Sequence, residues 1–265
     1  NIMKRYLVIG NPISHSLSPV LHNYWIKQNE LNAIYEKKKL NDDELEKIIL
    51  ELRQGNIDGI NVTVPFKNVI IPYLDELSDE AEKTQAVNTI CLNNKRVYGH
   101  NTDIEGFEKA IKKTNFDFVK KKIFILGAGG VVPSIIYASM KMNFSKIFVT
   151  NRTKEKAEKI KSIFNSIKLI DWGEIPDFDV IVNATSVGLN QEDKINLDLT
   201  KIGKNKLFYD VIYNPAETNF LNLGKKLGNK CENGKLMFIY QAFLAFKLWH
   251  SIEPTISSET IKILD

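Results

Sequence analysis

A chain of 265 residues, 43% hydrophobic and 26% charged, has room for two modest domains with real cores and is too apolar for intrinsic disorder. The formal net charge of +4 comes from lysines scattered along the chain, with Lys37–Lys39 and Lys120–Lys122 as triplets beside apolar strand-like stretches, so solvated strand ends are expected rather than a nucleic-acid surface. Two distant cysteines and four scattered histidines make neither a disulfide framework nor a zinc spacing, which points to a reducing, cytoplasmic compartment without structural metal. The opening residues lack the layout of a secretory signal. The most apolar run, Leu236 to Trp249, carries Gln241 and Lys247 and is too short to span a bilayer, so no membrane partner is expected.

In chain order, Tyr6 to Ile9 reads as a buried strand halted by Gly10, Asn11 and Pro12. A helix follows, with Ser18 as its expected cap, Pro19 in its first turn and Leu21, Tyr24 and Trp25 at helical spacing. Next come a strand over Ala33 to Leu40, a helix from Asp42 or Asp43 to Arg53, and the segment GINVTVPFK, Gly59 to Lys67. Alternation in that strand sends Ile60, Val62 and Val64 to a core and Asn61 and Thr63 to the opposite face, with Lys67 continuing the polar side. Val87 to Leu92 and Arg96 to Gly99, joined by Asn93 and Asn94, read as a hairpin at the sheet edge that leads into GHNTD, Gly99 to Asp103. The lysine and aspartate ending these two segments suggest acid/base chemistry; a half-exposed strand with a wet polar face is the alternative.

After Asp103 a second alternating series begins, with strands at Lys122 to Leu126, Lys146 to Thr150, Val180 to Asn183 and Leu207 to Asp210, and helices over Val131 to Met142 and Thr153 to Phe164. Alternation of this kind implies an α/β protein with largely parallel sheets. The domains are expected at residues 1–103 with 236–265, and at 104–235, the last helix crossing back to the first domain.

Gly127, Ala128, Gly129 and Gly130 follow a buried strand and precede a helix, the context of a dinucleotide diphosphate site; a glycine turn with no ligand is the alternative. Val132 stands where the usual fingerprint has a third glycine or alanine. The next strand ends in Asn151, Arg152 and Thr153 with no carboxylate for a ribose 2'-hydroxyl, whereas a guanidinium suits a 2'-phosphate; NADP is therefore expected over NAD. Asn183 to Ser186 puts small polar groups at the carboxyl end of another strand, where open sheets bind ligands.

Taken together, GNPISHSLSPVLHN (Gly10 to Asn23), GINVTVPFK, AVNTI (Ala86 to Ile90), GHNTD, GAGG, NRT, NATSVG, DVIYNP (Asp210 to Pro215) and NGKLMFIYQAF (Asn233 to Phe243) closely resemble the shikimate dehydrogenase family over nearly the whole chain. Two departures are Gln85, where the family commonly has glycine, and Val131–Pro133, in place of small or basic residues. The resemblance implies a substrate domain joined to a Rossmann-like NADP domain, and reversible reduction of 3-dehydroshikimate to shikimate by a monomer or homodimer. It places Lys67 and Asp103 as the catalytic pair. Ser14 and Ser16 would hold the substrate carboxylate, with Thr63, Asn88, Asp103, Tyr213 and Gln241 along the ring and its hydroxyls, and Lys67 would also contact the substrate. Gly127–Gly130, Asn151, Arg152, Thr153, Thr185, Val211 and Gly234 would line the cofactor. Read without the family, Ser14 and Ser16 could be turn residues, Gln241 could bond within its helix, and Tyr213 could be a packed aromatic. A quinate or quinate/shikimate dehydrogenase is the nearest rival, and a noncatalytic ligand sensor is a rival of another class.

Overall fold

Alternating apolar strands and amphipathic helices build two separate six-stranded sheets in the computed structural model, which describes residues 2–265. The chain divides into two units, residues up to Asp103 with Ile239–Asp265, and Ile104–Phe238.

In the first unit, β1 (Lys4–Gly10) runs parallel to β2 (Ala33–Lys39) and β3 (Gly59–Val62), and β3 pairs antiparallel with β5 (Thr89–Asn93). β5 turns back as β6 (Arg96–His100), and the two-residue β4 (Glu76–Leu77) occupies the edge beyond it, giving the order β2-β1-β3-β5-β6-β4. The hairpin is thus one strand in from the edge. Its turn falls on Asn94 and Lys95, both with positive φ (49° and 64°), the geometry that suits the twist of paired strands. α1 (Ser18–Gln28), α2 (Leu45–Arg53) and α3 (Asp79–Thr84) complete this part of the unit.

Period-two alternation sets the two cores of this sheet. Leu7, Ile9, Ile60 and Val62 pack with Leu45, Ile48, Ile49 and Leu52 of α2, each buried side chain stabilising by about 1.5–3 kcal/mol. On the other face, Tyr6, His22, Trp25, Tyr35, Phe246 and Trp249 form a contiguous cluster of rings. Gly59 is required there, because a Cβ would lie 2.5 Å from Trp249 Nε1.

The second unit begins within α4 (Asp103–Lys112). Its sheet contains β7 (Lys122–Leu126), β8 (Lys146–Thr150), β9 (Lys168–Leu169), β10 (Val180–Asn183), β11 (Leu207–Asp210) and β12 (Lys230–Glu232). All are parallel, in the order β12-β11-β10-β7-β8-β9. α5 (Val132–Lys141), α6 (Lys154–Ile163) and α7 (Asn219–Lys226) make the crossovers. This is the doubly wound order, whose ligand crevice opens where chain direction reverses, between β7 and β10. α8 (Lys235–His250) returns the chain, residues from Ile239 belong to the first unit, and α9 (Ser258–Lys262) ends it.

Two local expectations are corrected. Val64 is not in the core: β3 stops at Val62, and Val64 stands 57% exposed in the turn before Pro65. Ser18 does not cap α1; Leu17 holds the cap position, and the Ser18 amide donates to Ser16 Oγ at 3.3 Å.

Candidate functional site

The first unit gathers its polar groups at the carboxyl ends of β1 and β3 and the end of β6. Beyond β3 the chain turns through Thr63–Phe66, with Phe66 N donating to Thr63 O, and presents Lys67. Val87 N donates to Lys67 O at 2.8 Å and Asn68 Nδ2 to Gln85 O at 2.9 Å, so the lysine's backbone is tied to the segment entering β5. After β6, Asp103 N donates to Asn101 Oδ1 at 3.0 Å, which orients the start of α4. The outcome is an ion pair: Lys67 Nζ lies 2.7 Å from Asp103 Oδ2, with the side chains 12% and 8% exposed. An ammonium has three protons, and this contact uses one.

Asn88 and Gln241 are joined through Thr102, the residue before Asp103. Asn88 Nδ2 donates to Thr102 Oγ1 at 2.8 Å and reaches Gln241 Oε1 at 3.5 Å, while Thr102 Oγ1 donates to Gln241 O at 2.9 Å. Thr63 follows directly on β3; a Cβ at Gly10 would sit 2.5 Å from its Cγ2, so glycine at position 10 makes room for it. Ser14 is exposed and Ser16 half-buried in the turn after β1. Ser16 N donates to Ile13 O, and Ser16 Oγ accepts from Ser18 N, which leaves the hydroxyl proton for an anionic ligand. Lys37 Nζ donates to Ser14 O at 2.6 Å, adding a cation to that turn. Tyr213 belongs to the second unit, where its ring packs on Phe238 at 4.8 Å and burial pushes its hydroxyl pKa up.

In the second unit, the loops after β7 and β10 approach each other at the switch point: a Cβ on Gly127 would lie 2.9 Å from Ala184 O, and Gly127 has φ +121°. A Cβ on Gly129 would meet nothing within 4 Å, so the space over that backbone is open to a diphosphate. α5 starts just beyond with no side-chain bond at its Val131 cap and Pro133 in its first turn, leaving its positive end for an anion. Asn151 Nδ2 donates to Thr153 O, holding the β8–α6 turn with Arg152 exposed on it. Thr153 takes the cap position of α6 without a side-chain bond, and the first acidic residue, Glu155, lies inside the helix. These residues fit an NADP molecule.

Thr185 and Gly234 differ in detail from simple cofactor-lining positions. Thr185 Oγ1 donates to Asn183 Oδ1 at 2.6 Å and accepts from Val187 N at 3.1 Å, so its hydroxyl shapes its own loop. Val211 N donates to Asn183 O, and a Cβ at Gly234 would collide with Val211 O, so glycine is demanded there by the protein itself. Asp210 sits under both loops, fully buried, accepting from Asn183 Nδ2, Ile212 N and Thr218 Oγ1. Burial raises its pKa to about 6, against the pull of those three donors.

Residues 8–90 match the family model described as "Shikimate dehydrogenase substrate binding domain", and residues 108–211 match "Shikimate / quinate 5-dehydrogenase". The chain is 56% identical over 262 residues to the shikimate dehydrogenase (NADP(+)) of Pelagibacter ubique, covering 99% of both. The chain belongs to the shikimate dehydrogenase family. Its fold superposes on the crystal structure of the Aquifex aeolicus shikimate dehydrogenase with a TM-score of 0.90 at 40% identity, covering 99% of this chain and 97% of the other. It superposes on the Thermus thermophilus shikimate 5-dehydrogenase, solved with NADP(H) and shikimate, with a TM-score of 0.89 at 30% identity, covering 99% and 98%.

Within this shikimate dehydrogenase family member, the Gln85 departure has a local meaning. Gln85 closes α3 in the left-handed conformation (φ 52°, ψ 38°), which glycine adopts without the steric cost of a Cβ. Thr102, Thr89, Asn61 and Lys37 were not legible as site residues. The first three are uncharged positions inside apolar or motif strings, and Lys37 is one of a run of three lysines; only their hydrogen bonds set them apart.

Proposed function

We propose that the chain catalyses the NADP-dependent, reversible reduction of 3-dehydroshikimate to shikimate. The observation that carries the reading is the Lys67–Asp103 ion pair at 2.7 Å, in the same unit as Ser14, Ser16, Thr63, Asn88 and Gln241. NADPH, when bound, supplies the hydride for the ketone carbon. Lys67 acts as the proton donor. Its Nζ gives a proton to the oxygen as negative charge develops there, and the resulting amine regains a proton from solvent. Asp103 keeps the ammonium in place through one of its three protons.

Binding follows from the inventory of donors. Ser14 and Ser16 offer hydroxyl protons to the substrate carboxylate, with Lys37 adding positive charge to their turn. Asn88, Thr63 and Gln241 of the first unit meet the ring hydroxyls. Gly127, Ala128, Gly129 and Gly130 would cradle the diphosphate, and Asn151, Arg152 and Thr153 would hold the adenosine 2'-phosphate, with Thr185, Val211 and Gly234 shaping the nicotinamide end. Cys91 and Cys231 are both free thiols, which supports a reducing, cytoplasmic location.

The test is NADPH absorbance with purified protein, first with shikimate and NADP, then with quinate, then with NAD in place of NADP. Rapid reduction of NADP with shikimate and slow reduction with quinate is expected. Turnover of quinate at equal or higher kcat/KM would overturn the substrate assignment, and no turnover of either would overturn the activity.

A further inference from the structure

Nearly every polar atom around Asn88 has a partner inside the protein. Its Oδ1 accepts from Thr102 N at 2.7 Å and from Thr89 Oγ1 at 3.1 Å, and a carboxamide oxygen has two lone pairs to give. One Nδ2 proton goes to Thr102 Oγ1 at 2.8 Å. The other is directed toward Gln241 Oε1 at 3.5 Å, the outer limit of a hydrogen bond.

Behind this arrangement runs a buried chain of bonds. Thr89 Oγ1 accepts from Asn61 Nδ2 at 3.1 Å, Asn61 Nδ2 also donates to Asn88 O at 3.1 Å, and Asn61 Oδ1 accepts from Tyr35 Oη at 2.7 Å. Tyr35, Asn61 and Thr89 are 1%, 7% and 0% exposed, so water does not compete for these groups.

We propose that Thr89 is a positioning residue of the substrate site: its hydroxyl fills the second lone pair of Asn88 Oδ1 and so commits Asn88 to meet the ring only as a donor, through Nδ2. The proposal rests on the reading above that Asn88 touches the substrate. Without the Thr89 hydroxyl, one lone pair of Oδ1 is open to a ligand hydroxyl, and the carboxamide is held only by Thr102, through its N and Oγ1, and by the 3.5 Å contact with Gln241 Oε1. A hydroxyl on β5 is thereby linked to the orientation of a ligand it does not touch.

The experiment measures shikimate oxidation and NADP dependence in the wild type, Thr89→Ser and Thr89→Val. Removing one partner from a buried polar pair costs enough to raise the shikimate KM about five- to tenfold in Thr89→Val, with kcat within about threefold and the NADP KM unchanged. Thr89→Ser keeps the hydroxyl and is expected to behave as the wild type. Should Thr89→Val not fold, Thr89→Ala carries the same comparison. Tyr35→Phe, at the far end of the chain of bonds, is expected to lower the melting temperature without moving the shikimate KM. A wild-type shikimate KM in Thr89→Val, an equal rise in the NADP KM, or an equal KM shift in Tyr35→Phe would overturn the assignment. If the wild type itself does not oxidise shikimate, the proposed function fails first; if it does and the Thr89 variants are indifferent, only this inference fails.

Discussion

Removing the Lys67 ammonium should separate catalysis from binding. A positioned general acid contributes about 10²- to 10⁴-fold, or roughly 3–5 kcal/mol of the barrier, and it acts in the transition state, so Lys67→Ala should lose that much kcat while the shikimate dissociation constant moves by no more than about threefold. The substitution also leaves Asp103, with its side chain 8% exposed, without its partner at 2.7 Å. Breaking a buried pair costs about 3–5 kcal/mol, and because neither group is fully enclosed the low end applies, a fall of about 6–12 °C in melting temperature. Adding Asp103→Asn removes the stranded charge, so the double variant should recover most of the stability and none of the turnover. Steady-state NADPH absorbance gives kcat, calorimetry gives shikimate affinity, and thermal denaturation gives stability. Turnover of Lys67→Ala within tenfold of the wild type, with affinity intact, would refute the assignment of the proton to Lys67.

Arg152→Ala should weaken NADP binding about 10- to 100-fold, the worth of a charge-assisted contact, and leave NAD nearly unaffected; equal losses for both in a titration of KM would remove the 2'-phosphate argument. Gln85→Gly should stabilise the protein by about 1 kcal/mol in urea denaturation, because it relieves a left-handed residue at the end of α3 at the cost of one exposed bond from Gln85 Nε2 to Glu82 O. His22 is a neutral imidazole stacked on Tyr35 at 4.2 Å, and burial, with repulsion from His250, lowers its pKa from 6.5 to about 3. The unfolded chain therefore takes up a proton as pH falls through 6.5 and the folded one does not until about pH 3, so stability present above 6.5 is lost progressively below it, by about 2 kcal/mol at pH 5. His22→Phe should flatten that slope between pH 7.5 and 5, and an unchanged slope would count against a neutral His22.

Much of the fold was legible because its signals are local. The four strands predicted in the second series coincide with β7, β8, β10 and β11, since a fully buried parallel strand must be a continuous apolar run. Short edge strands carry no such signal: β4 and β9 have two residues each, mostly wet, and are strands only because a neighbour offers hydrogen bonds. Val64 shows the opposite error. Its alternation with Ile60 and Val62 is correct along the strand, but the turn before Pro65 ends the strand first.

The sequence by itself determined the kinds of residue available for chemistry: a lysine and a carboxylate at strand ends, serines in a turn, glycines between strand and helix, and an arginine where an acid would favour NAD. The tertiary structure alone decided the distances and the partners. Lys67 and Asp103 are 36 positions apart, and only the pairing of β3, β5 and β6 brings them to 2.7 Å. Thr89 and Asn61 looked like ordinary polar strand residues until the sheet closed over them. A hydrogen bond depends on direction and on exclusion of water, neither of which is a property of a residue alone.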